Sequence, residues 1–149
     1  MIIYSFKTKI GWITICEDKK KLVNVKFCKS KNKKKSKNLD KIKDQIISFV
    51  ERNRKKFTFK IHLIGTPIQR KIWNEIKNIS YGKTKTYGEI AKKIKTSPRY
   101  VGNVCGQNKL LLIIPCHRVI RSDGSLGGYS GKGGIKTKKK LLESEGILL

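Results

Sequence analysis

Acidic residues are scarce in this chain of 149 residues. Ten aspartates and glutamates stand against 36 lysines and arginines, which gives a formal net charge of +26. A lysine-rich solvated surface in a heat-adapted protein is one explanation, but heat adaptation usually enriches glutamate as well. A positive charge of this size favours polyanionic partners and says nothing about the fold. We therefore expect a nucleic-acid partner.

Histidine and cysteine are also few, and their spacing excludes the usual zinc motifs. The chain has two histidines, and its four cysteines are Cys16, Cys28, Cys105 and Cys116. None of the cysteines forms a C-x-x-C pair. The sequence also lacks a signal peptide and an apolar run of membrane-spanning length. We expect a cytoplasmic protein with reduced cysteines, no metal, no cofactor and no membrane partner.

Residues 1–62 are predicted to form a small α/β domain. Short runs of β-branched and aromatic residues predict three strands, at Met1–Phe6, Gly11–Cys16 and Leu22–Phe27. Helical spacing of apolar residues predicts a helix between Leu39 and Val50, and Lys56–Leu63 is predicted to return as a strand. The lysine-rich stretch Lys29–Lys37 is predicted to be a solvated loop.

Residues 63–149 are predicted to form a second, mostly helical domain. Thr66 and Gln69 form a capping box around Pro67, which predicts the start of one helix. Thr86 and Glu89 form a second capping box, and Ser97-Pro98 begins a third helix shortly afterwards. Two short helices joined by a few residues are a candidate helix-turn-helix.

The helix that follows Ser97 carries an unusual surface pattern. Its inward face is predicted to hold Val101, Val104, Cys105 and Asn108, and the other face Arg99, Gly102, Asn103 and Gly106. Each interior glycine costs a helix about 0.5–1 kcal/mol relative to alanine. Two glycines on one face therefore indicate that something approaches the helix backbone closely. Another protein element fits that pattern, but the basic charge favours a nucleic-acid groove.

The strongest chemical signal is the segment around Cys116. Leu110–Ile114 is an unbroken apolar run that predicts a buried strand, and Pro115 ends it. Cys116 follows directly, beside His117 and Arg118, where polar neighbours can hold the thiol as the reactive thiolate. A buried structural cysteine is the alternative. A glycine-rich loop, residues 122–131, comes next and offers backbone N–H groups together with the hydroxyls of Tyr129 and Ser130.

Taken together, these motifs resemble those of the O6-alkylguanine-DNA alkyltransferases. The resemblance covers about Gly65 to Gly146 and is most specific at Ile114-Pro115-Cys116-His117-Arg118-Val119. The other matching segments are Gly65-Thr66-Pro67, Gln69-Arg70, Trp73, Tyr87-Gly88-Glu89-Ile90-Ala91, Arg99, Val101-Gly102, Asn108, Gly127-Gly128-Tyr129-Ser130-Gly131, Leu141-Leu142 and Glu145-Gly146. Family membership implies an RNase H-like fold for the N-terminal domain, which itself matches only in size and in its α/β pattern.

The resemblance also implies a mechanism. Cys116 would irreversibly accept the alkyl group of O6-alkylguanine, chiefly O6-methylguanine and also O4-methylthymine, so that each molecule reacts once. His117 would take the thiol proton through a water, oriented by Glu145. The spacing before Glu145 is about two residues longer than usual, so Glu143 remains an alternative.

Further roles follow from the resemblance for residues around the acceptor. A monomer would bind double-stranded DNA and rotate the damaged base out of the helix, with Arg99 filling the vacated stack and Tyr87 crowding the adjacent phosphate. Gly102 would lie against the minor groove, Asn108 would tie its helix to the active site, and Ser122 would contact phosphate. The base would be bound by the backbone carbonyls of Cys116 and Val119 and by the loop residues Tyr129, Ser130 and Gly131.

Three other functions remain open. Non-catalytic relatives that flag alkylated bases lack the acceptor cysteine, so Cys116 argues against that function. A helix-turn-helix regulator would use the Cys-His pair structurally. A cysteine hydrolase would turn over repeatedly, whereas self-alkylation predicts one event per molecule.

Overall fold

The computed structural model describes residues 1–32 and 34–148. These form two compact units, Met1–Ile64 and Gly65–Leu149, here called unit 1 and unit 2. Within the described residues, no helix is both long and apolar enough to cross a membrane.

Unit 1 contains an antiparallel sheet of three strands in the order β1-β2-β3. The strands are β1 (Ile2–Thr8), β2 (Gly11–Asp18) and β3 (Lys21–Lys26), which confirms the three predicted strands. Ile13 and Ile15 alternate along β2 and are fully buried, as expected for a sheet with one covered face. Lys19 and Lys20 turn the chain between β2 and β3 with positive φ angles of 49° and 64°.

The predicted helix of unit 1 is present as α1 (Lys37–Val50). The Ser36 side chain caps it by accepting a hydrogen bond from Leu39 N, and the face from Leu39 to Phe49 is buried. The predicted loop therefore ends before Lys37, where α1 begins. Lys33 lies outside the described residues.

The predicted strand at Lys56–Leu63 is wrong. Among residues 1–32 and 34–148, its strand pairing is a single parallel bridge between Ile61 and Leu22, with Leu22 N donating to Lys60 O at 3.0 Å and His62 N donating to Leu22 O at 2.9 Å. The Gln45 side chain instead binds Thr58, accepting from its backbone N–H at 3.0 Å and donating to its hydroxyl at 2.7 Å. Phe57 packs on Phe49 with ring centroids 5.1 Å apart. Side-chain contacts with α1 thus hold the first part of the segment, and strand pairing is limited to the bridge at Ile61.

Unit 2 is mostly helical, as predicted. Its helices are α2 (Pro67–Lys77), α3 (Tyr87–Ile94), α4 (Pro98–Gly106) and α5 (Ile135–Ser144). Both predicted capping boxes are present, at Thr66 with Gln69 and at Thr86 with Glu89, and Ser97 caps α4. Between α3 and α4, Lys95 adopts a left-handed conformation that ends the first helix.

The predicted strand at Leu110–Ile114 is also wrong, although the segment is buried. It folds into a turn in which Ile114 N donates to Leu110 O at 2.9 Å and Leu112 has a positive φ of 71°. An apolar run buried on all sides has no periodicity to distinguish a strand from a compact turn. A 3-10 turn over Cys116–Arg118 follows and leads into β5 (Val119–Ile120), which pairs in parallel with β4 (Lys85–Thr86).

Candidate active site

A cavity of about 640 Å³ opens in unit 2 between α3, α4 and the glycine-rich loop. Its lining combines residues from the predicted site with others that the sequence did not indicate. The lining residues are Tyr87, Pro98, Arg99, Gly102, Cys105, Gly106, Cys116, Arg121, Ser122, Gly127, Gly128, Tyr129 and Ser130. The volume is in the range of small-molecule and cofactor sites.

Cys116 lies in the cavity wall and is only 5% exposed. Asn108, just beyond the end of α4, holds it in place: Nδ2 of Asn108 lies 3.2 Å from Sγ of Cys116 and donates to Ile114 O at 2.9 Å. The Asn108 Oδ1 accepts from Leu110 N at 2.9 Å. One buried amide therefore joins the helix end, the apolar turn and the thiol.

His117 points into a buried ionic cluster rather than into the cavity. Its Nε2 lies 2.6 Å from Oε2 of Glu145, and both side chains are fully buried. Arg118 binds the same carboxylate with two nitrogens, at 2.8 Å and 3.1 Å, and donates to Ile79 O at 2.7 Å. The backbone N–H of Gly82 completes the cluster at 2.9 Å from Oε1 of Glu145. Glu143, the alternative partner, is exposed and lies 3.9 Å from Lys139.

The protonation states in this cluster follow from burial and from the paired charges. Burial opposes ionisation of Glu145, but hydrogen bonds from His117 and Arg118 outweigh it and lower its pKa to about 2. Burial lowers the pKa of His117, against the opposing effect of Glu145. A neutral His117 that donates through Nε2 to a carboxylate keeps the lone pair of Nδ1 free to accept a proton. That Nδ1 is buried and has no hydrogen-bond partner within the described residues.

Two thiols share this region of the cavity. The Cys105 side chain is in hydrogen-bond contact with Cys116, and this contact, together with burial, raises the pKa of Cys116. The Asn108 amide and the positive charge of Lys138 act in the opposite direction. Cys105 is buried, as its place on the inward face of α4 predicts, but it also lines the cavity.

Lys138 is the main functional residue that the sequence analysis missed. It is fully buried on α5, and its ammonium group donates to three carbonyl oxygens: Val119 at 2.6 Å, Leu126, and Gly128 at 3.1 Å. Burial lowers its pKa to about 8, so the ammonium form still predominates at neutral pH. The available signal was its position on the same helical face as Leu141 and Leu142, which places a lysine among core residues.

The glycine-rich loop lies against Tyr87. Gly127 has a positive φ of 72°, and a Cβ there would lie 2.9 Å from the Tyr87 hydroxyl. The same hydroxyl lies 3.4 Å from Nζ of Lys138. Burial, with a smaller contribution from Cys105 and Cys116, raises the pKa of Tyr87 to about 12, and burial also raises the pKa of Tyr129. Both phenols therefore remain protonated and can donate hydrogen bonds.

The glycine face of α4 forms one wall of the cavity. Arg99, Gly102 and Gly106 all line it, whereas Asn103 is exposed without lining it. A Cβ on Gly102 would lie 3.9 Å from the Tyr87 ring, and one on Gly106 would meet nothing within 4 Å. The helix backbone is therefore accessible from the cavity, as the glycine pattern predicts.

The residues predicted to bind the base or the nearby phosphate divide into two groups. Ser122, Tyr129 and Ser130 line the cavity, whereas Val119 and Gly131 are buried and do not line it. The Val119 carbonyl accepts from Lys138, and the Cys116 carbonyl accepts from Val119 N. Because a carbonyl oxygen has two lone pairs, each retains one for a ligand.

Two models of known protein domains match this chain. The model described as "6-O-methylguanine DNA methyltransferase, DNA binding domain" matches residues 67–147, and the "ribonuclease-like domain" of the same family matches residues 1–63. The chain belongs to the 6-O-methylguanine DNA methyltransferase family. Its two units are thus the family's ribonuclease-like domain, which carries the antiparallel sheet, and its helical DNA-binding domain.

Individual relatives match over nearly the whole chain or over a little more than half of it. The methylated-DNA–protein-cysteine methyltransferase of Sulfolobus acidocaldarius is 37% identical over 150 residues, covering 99% of this chain and 95% of the relative. The protein of the same name from Saccharomyces cerevisiae is 48% identical over 85 residues, covering 56% of this chain and 44% of the relative.

The chain is also similar to two solved structures of protein–DNA complexes. Mycobacterium tuberculosis OGT in complex with DNA matches with a TM-score of 0.85 and 32% identity, covering 96% of this chain and 91% of that one. S. pombe Atl1, bound to damaged DNA containing O6-carboxymethylguanine, matches with a TM-score of 0.51 and 31% identity, covering 58% and 82%.

Proposed function

We propose that this protein repairs O6-alkylguanine in DNA by transferring the alkyl group to Cys116. The observation that carries the proposal is the position of Cys116, in the wall of the cavity and next in sequence to a histidine held by a buried carboxylate. The family assignment supports the same reaction, because the relatives are named methylated-DNA–protein-cysteine methyltransferases.

The reaction begins with loss of the Cys116 proton to Nδ1 of His117 through a water. The Glu145 carboxylate stabilises the imidazolium that forms, because it already accepts the Nε2 proton at 2.6 Å. The thiolate then attacks the saturated carbon of the alkyl group. The new S–C bond forms as the C–O6 bond breaks, the electron pair moves to the guanine, and guanine takes up a proton.

The product explains why the reaction happens once. A thioether has no electrophilic carbonyl for water to attack, in contrast to the acyl-thioester of a cysteine hydrolase. Returning the alkyl group would require expelling a thiolate from saturated carbon. The only other cysteine in unit 2 is Cys105, and its exposed fraction is 8%.

For DNA recognition, we propose that α3 and α4 act as a helix-turn-helix whose α4 lies in the minor groove. The exposed Arg99 and the two glycines of α4 face the cavity, which supports close approach of a nucleic-acid backbone. Arg99 replaces the extruded base, and Ser122 contacts phosphate. One chain holds the acceptor, the base and the DNA-facing helix, which supports action as a monomer.

For the extruded base, we propose a pocket formed by the glycine-rich loop. Tyr129 and Ser130 line the cavity, and the raised pKa of Tyr129 keeps its phenol able to donate. Gly131 and Val119 contribute backbone groups from behind the wall. Lys138 holds this wall through its three carbonyl contacts.

A lesion-flagging protein is the second candidate, favoured by the match to the S. pombe Atl1 complex. The two functions differ in whether Cys116 becomes alkylated. The test is to mix the protein with a duplex carrying O6-methylguanine and to map the methyl group by peptide mass spectrometry. We expect it on the tryptic peptide of residues 110–118, at Cys116, and expect Cys116→Ala to bind the duplex without transfer. Binding by the wild-type protein with no methyl on Cys116 would identify a lesion-flagging protein.

A further inference from the structure

Cys105 has no part in the proposed transfer, yet it lies beside the acceptor. Both cysteines line the same cavity, with exposed fractions of 8% for Cys105 and 5% for Cys116. The Cys105 thiol, together with burial, raises the pKa of Cys116. The two cysteines come from different elements, the last turn of α4 and the 3-10 turn after Pro115, so the fold brings them to one cavity.

Asn108 connects the two cysteine positions rigidly. Its backbone N–H donates to Cys105 O at 3.2 Å, while its side-chain Nδ2 lies 3.2 Å from Sγ of Cys116. The same side chain donates to Ile114 O at 2.9 Å and so also holds the segment that precedes Cys116. A single buried residue thus limits how far the two thiols can separate.

We propose that Cys105 and Cys116 form an oxidisable dithiol site, which reacts with a two-electron oxidant of the peroxide class and closes as a disulfide. Closure requires the two sulfurs to reach bonding distance, about 2.05 Å, and both cysteines already line the same cavity, with Asn108 bonded to each of them. The cavity gives a small oxidant access to both sulfurs.

The chemistry balances with hydrogen peroxide as the only co-reactant. The Cys116 thiolate attacks one peroxide oxygen, the O–O bond breaks, and Cys116 becomes a sulfenic acid as water leaves. The Cys105 sulfur then loses its proton and attacks the sulfenic sulfur, which forms the S–S bond and releases a second water. Two thiols are oxidised by two electrons in total, and one peroxide is reduced to two waters.

The consequence for repair rests on the proposed function. A Cys116 sulfur held in a disulfide has no thiolate to attack an alkyl group, so the oxidised protein should not accept one. Thiol reductants reverse a disulfide but not a thioether. Oxidised protein and spent protein are therefore distinguishable by their response to dithiothreitol.

The test uses the full-length, reduced protein and limited hydrogen peroxide, followed by blocking of free thiols and tryptic mapping without reductant. Cleavage after Arg99, Lys109 and Arg118 places Cys105 on residues 100–109 and Cys116 on residues 110–118. We expect these two peptides to become linked as the main oxidised form of Cys116, and dithiothreitol to separate them. Oxidation of Cys116 only to sulfinic or sulfonic acid, or linkage to a different cysteine, would overturn the proposal.

Variants give a matched comparison. Cys28→Ala removes an exposed thiol of unit 1 and should leave the linkage unchanged, whereas Cys105→Ala should abolish it and lead Cys116 to irreversible oxidation. The peptide mapping needs no DNA, so it tests the dithiol site independently of the proposed alkyl transfer. Linked peptides in a protein that never accepts a methyl group would contradict the proposed function alone, and efficient repair without linkage would contradict the dithiol site alone.

Discussion

The two units of this protein bury charge in different ways. Among the aspartates, glutamates, histidines, lysines and arginines that the structure describes, unit 1 buries one, Glu17, whose partner is the neutral amide of Asn38 at 2.6 Å. Unit 2 buries four residues of these types: His117, Arg118, Lys138 and Glu145. Lysine and arginine outnumber the acidic residues severalfold in both units. The total charge therefore does not distinguish the units, but the buried charge does.

Exposed charges and buried charges therefore have different roles, the first in attracting polyanions and the second in the chemistry of the site. Exposed lysines provide a long-range field that attracts polyanions, and each contributes little to stability. Taking an ion out of water costs several kcal/mol, so a buried cluster persists only where its members compensate one another. In unit 2, His117 and Arg118 are compensated by the Glu145 carboxylate, and Lys138 is compensated by three backbone carbonyls. We infer that these buried charges are retained to position Cys116 and His117.

Replacing Glu145 should have the largest effect. Glu145→Gln leaves the Arg118 guanidinium buried without a carboxylate, which should lower the free energy of unfolding by about 3–5 kcal/mol. It also removes the charge that stabilises protonated His117, and methyl transfer should slow by about a hundredfold or more. The measurements are denaturant unfolding and single-turnover transfer to Cys116.

Glu17→Gln in unit 1 is the matched control for this substitution. It should cost about 1 kcal/mol, because a neutral amide can still bond Asn38, and it should leave the transfer rate unchanged. Equal transfer rates for wild type and for a folded Glu145→Gln would remove Glu145 from the mechanism.

The pH dependence of stability should report the same carboxylate. The pKa of Glu145 is lowered from 4.5 to about 2 in the folded protein. Its contribution to stability is therefore fully present above about pH 4.5 and is lost as the pH falls towards 2. Unfolding free energies measured across this range should fall less steeply in Glu145→Gln than in the wild type. Parallel curves for the two proteins would contradict the lowered pKa.

Replacing Lys138 should have the next largest effect. Lys138→Met leaves the carbonyls of Val119, Leu126 and Gly128 without their donor, which should cost about 2–4 kcal/mol and loosen the base pocket. Transfer from duplex DNA should slow by about tenfold through weaker substrate binding. Lys136→Met is the control, since Lys136 is exposed on the same helix and should behave as wild type. If the transfer rate of Lys138→Met depended on DNA concentration in the same way as that of the wild type, Lys138 would not support the pocket.

Replacing Arg99 should affect one substrate and leave the fold intact. Arg99 is exposed, so Arg99→Ala should change stability by less than about 0.5 kcal/mol. Repair of duplex lesions should slow by about tenfold, because extrusion costs a few kcal/mol, while reaction with free O6-methylguanine base should hardly change. Arg70→Ala on α2 is the control. Equal losses on both substrates would assign Arg99 to the pocket and not to base extrusion.

The smallest effect should come from single surface charges. Arg121→Gln, at the cavity rim, should reduce the salt dependence of binding to undamaged duplex by about one phosphate contact, whereas Lys31→Gln in unit 1 should change it less. Binding constants at several salt concentrations provide the comparison. The opposite order would place the main DNA-binding surface on unit 1.

The local elements of the fold could be predicted where one short-range signal decides the structure. The capping residues Thr66, Thr86 and Ser97 begin helices as expected, because a side-chain oxygen three residues before a free N–H acts locally. Leu110–Ile114 and Lys56–Leu63 could not be predicted in the same way. Leu110–Ile114 closes a turn on itself, and Lys56–Leu63 bonds to Gln45 through Thr58 and to Leu22 through Lys60 and His62. The apolar composition of either segment does not indicate these bonds.

The candidate site, like the fold, could be predicted only in part. Cys116, His117 and Glu145 were found through the motif that they share with a known family. The contacts of Lys138 and Cys105 depend on how helices pack against loops. The sequence pattern can indicate that these side chains are buried, but it does not reveal what they touch. The pairing of Glu145 rather than Glu143 with His117 likewise follows from the end of α5, where Glu145 caps the helix.

The stoichiometry of alkyl transfer tests the central claim most directly. Protein is incubated with a severalfold molar excess of duplex carrying O6-methylguanine, and transferred methyl groups are counted until the reaction stops. The account predicts one methyl group per protein molecule, located on Cys116, with no further repair after that point. Continued repair beyond one equivalent, or a methyl group on any other residue, would contradict it.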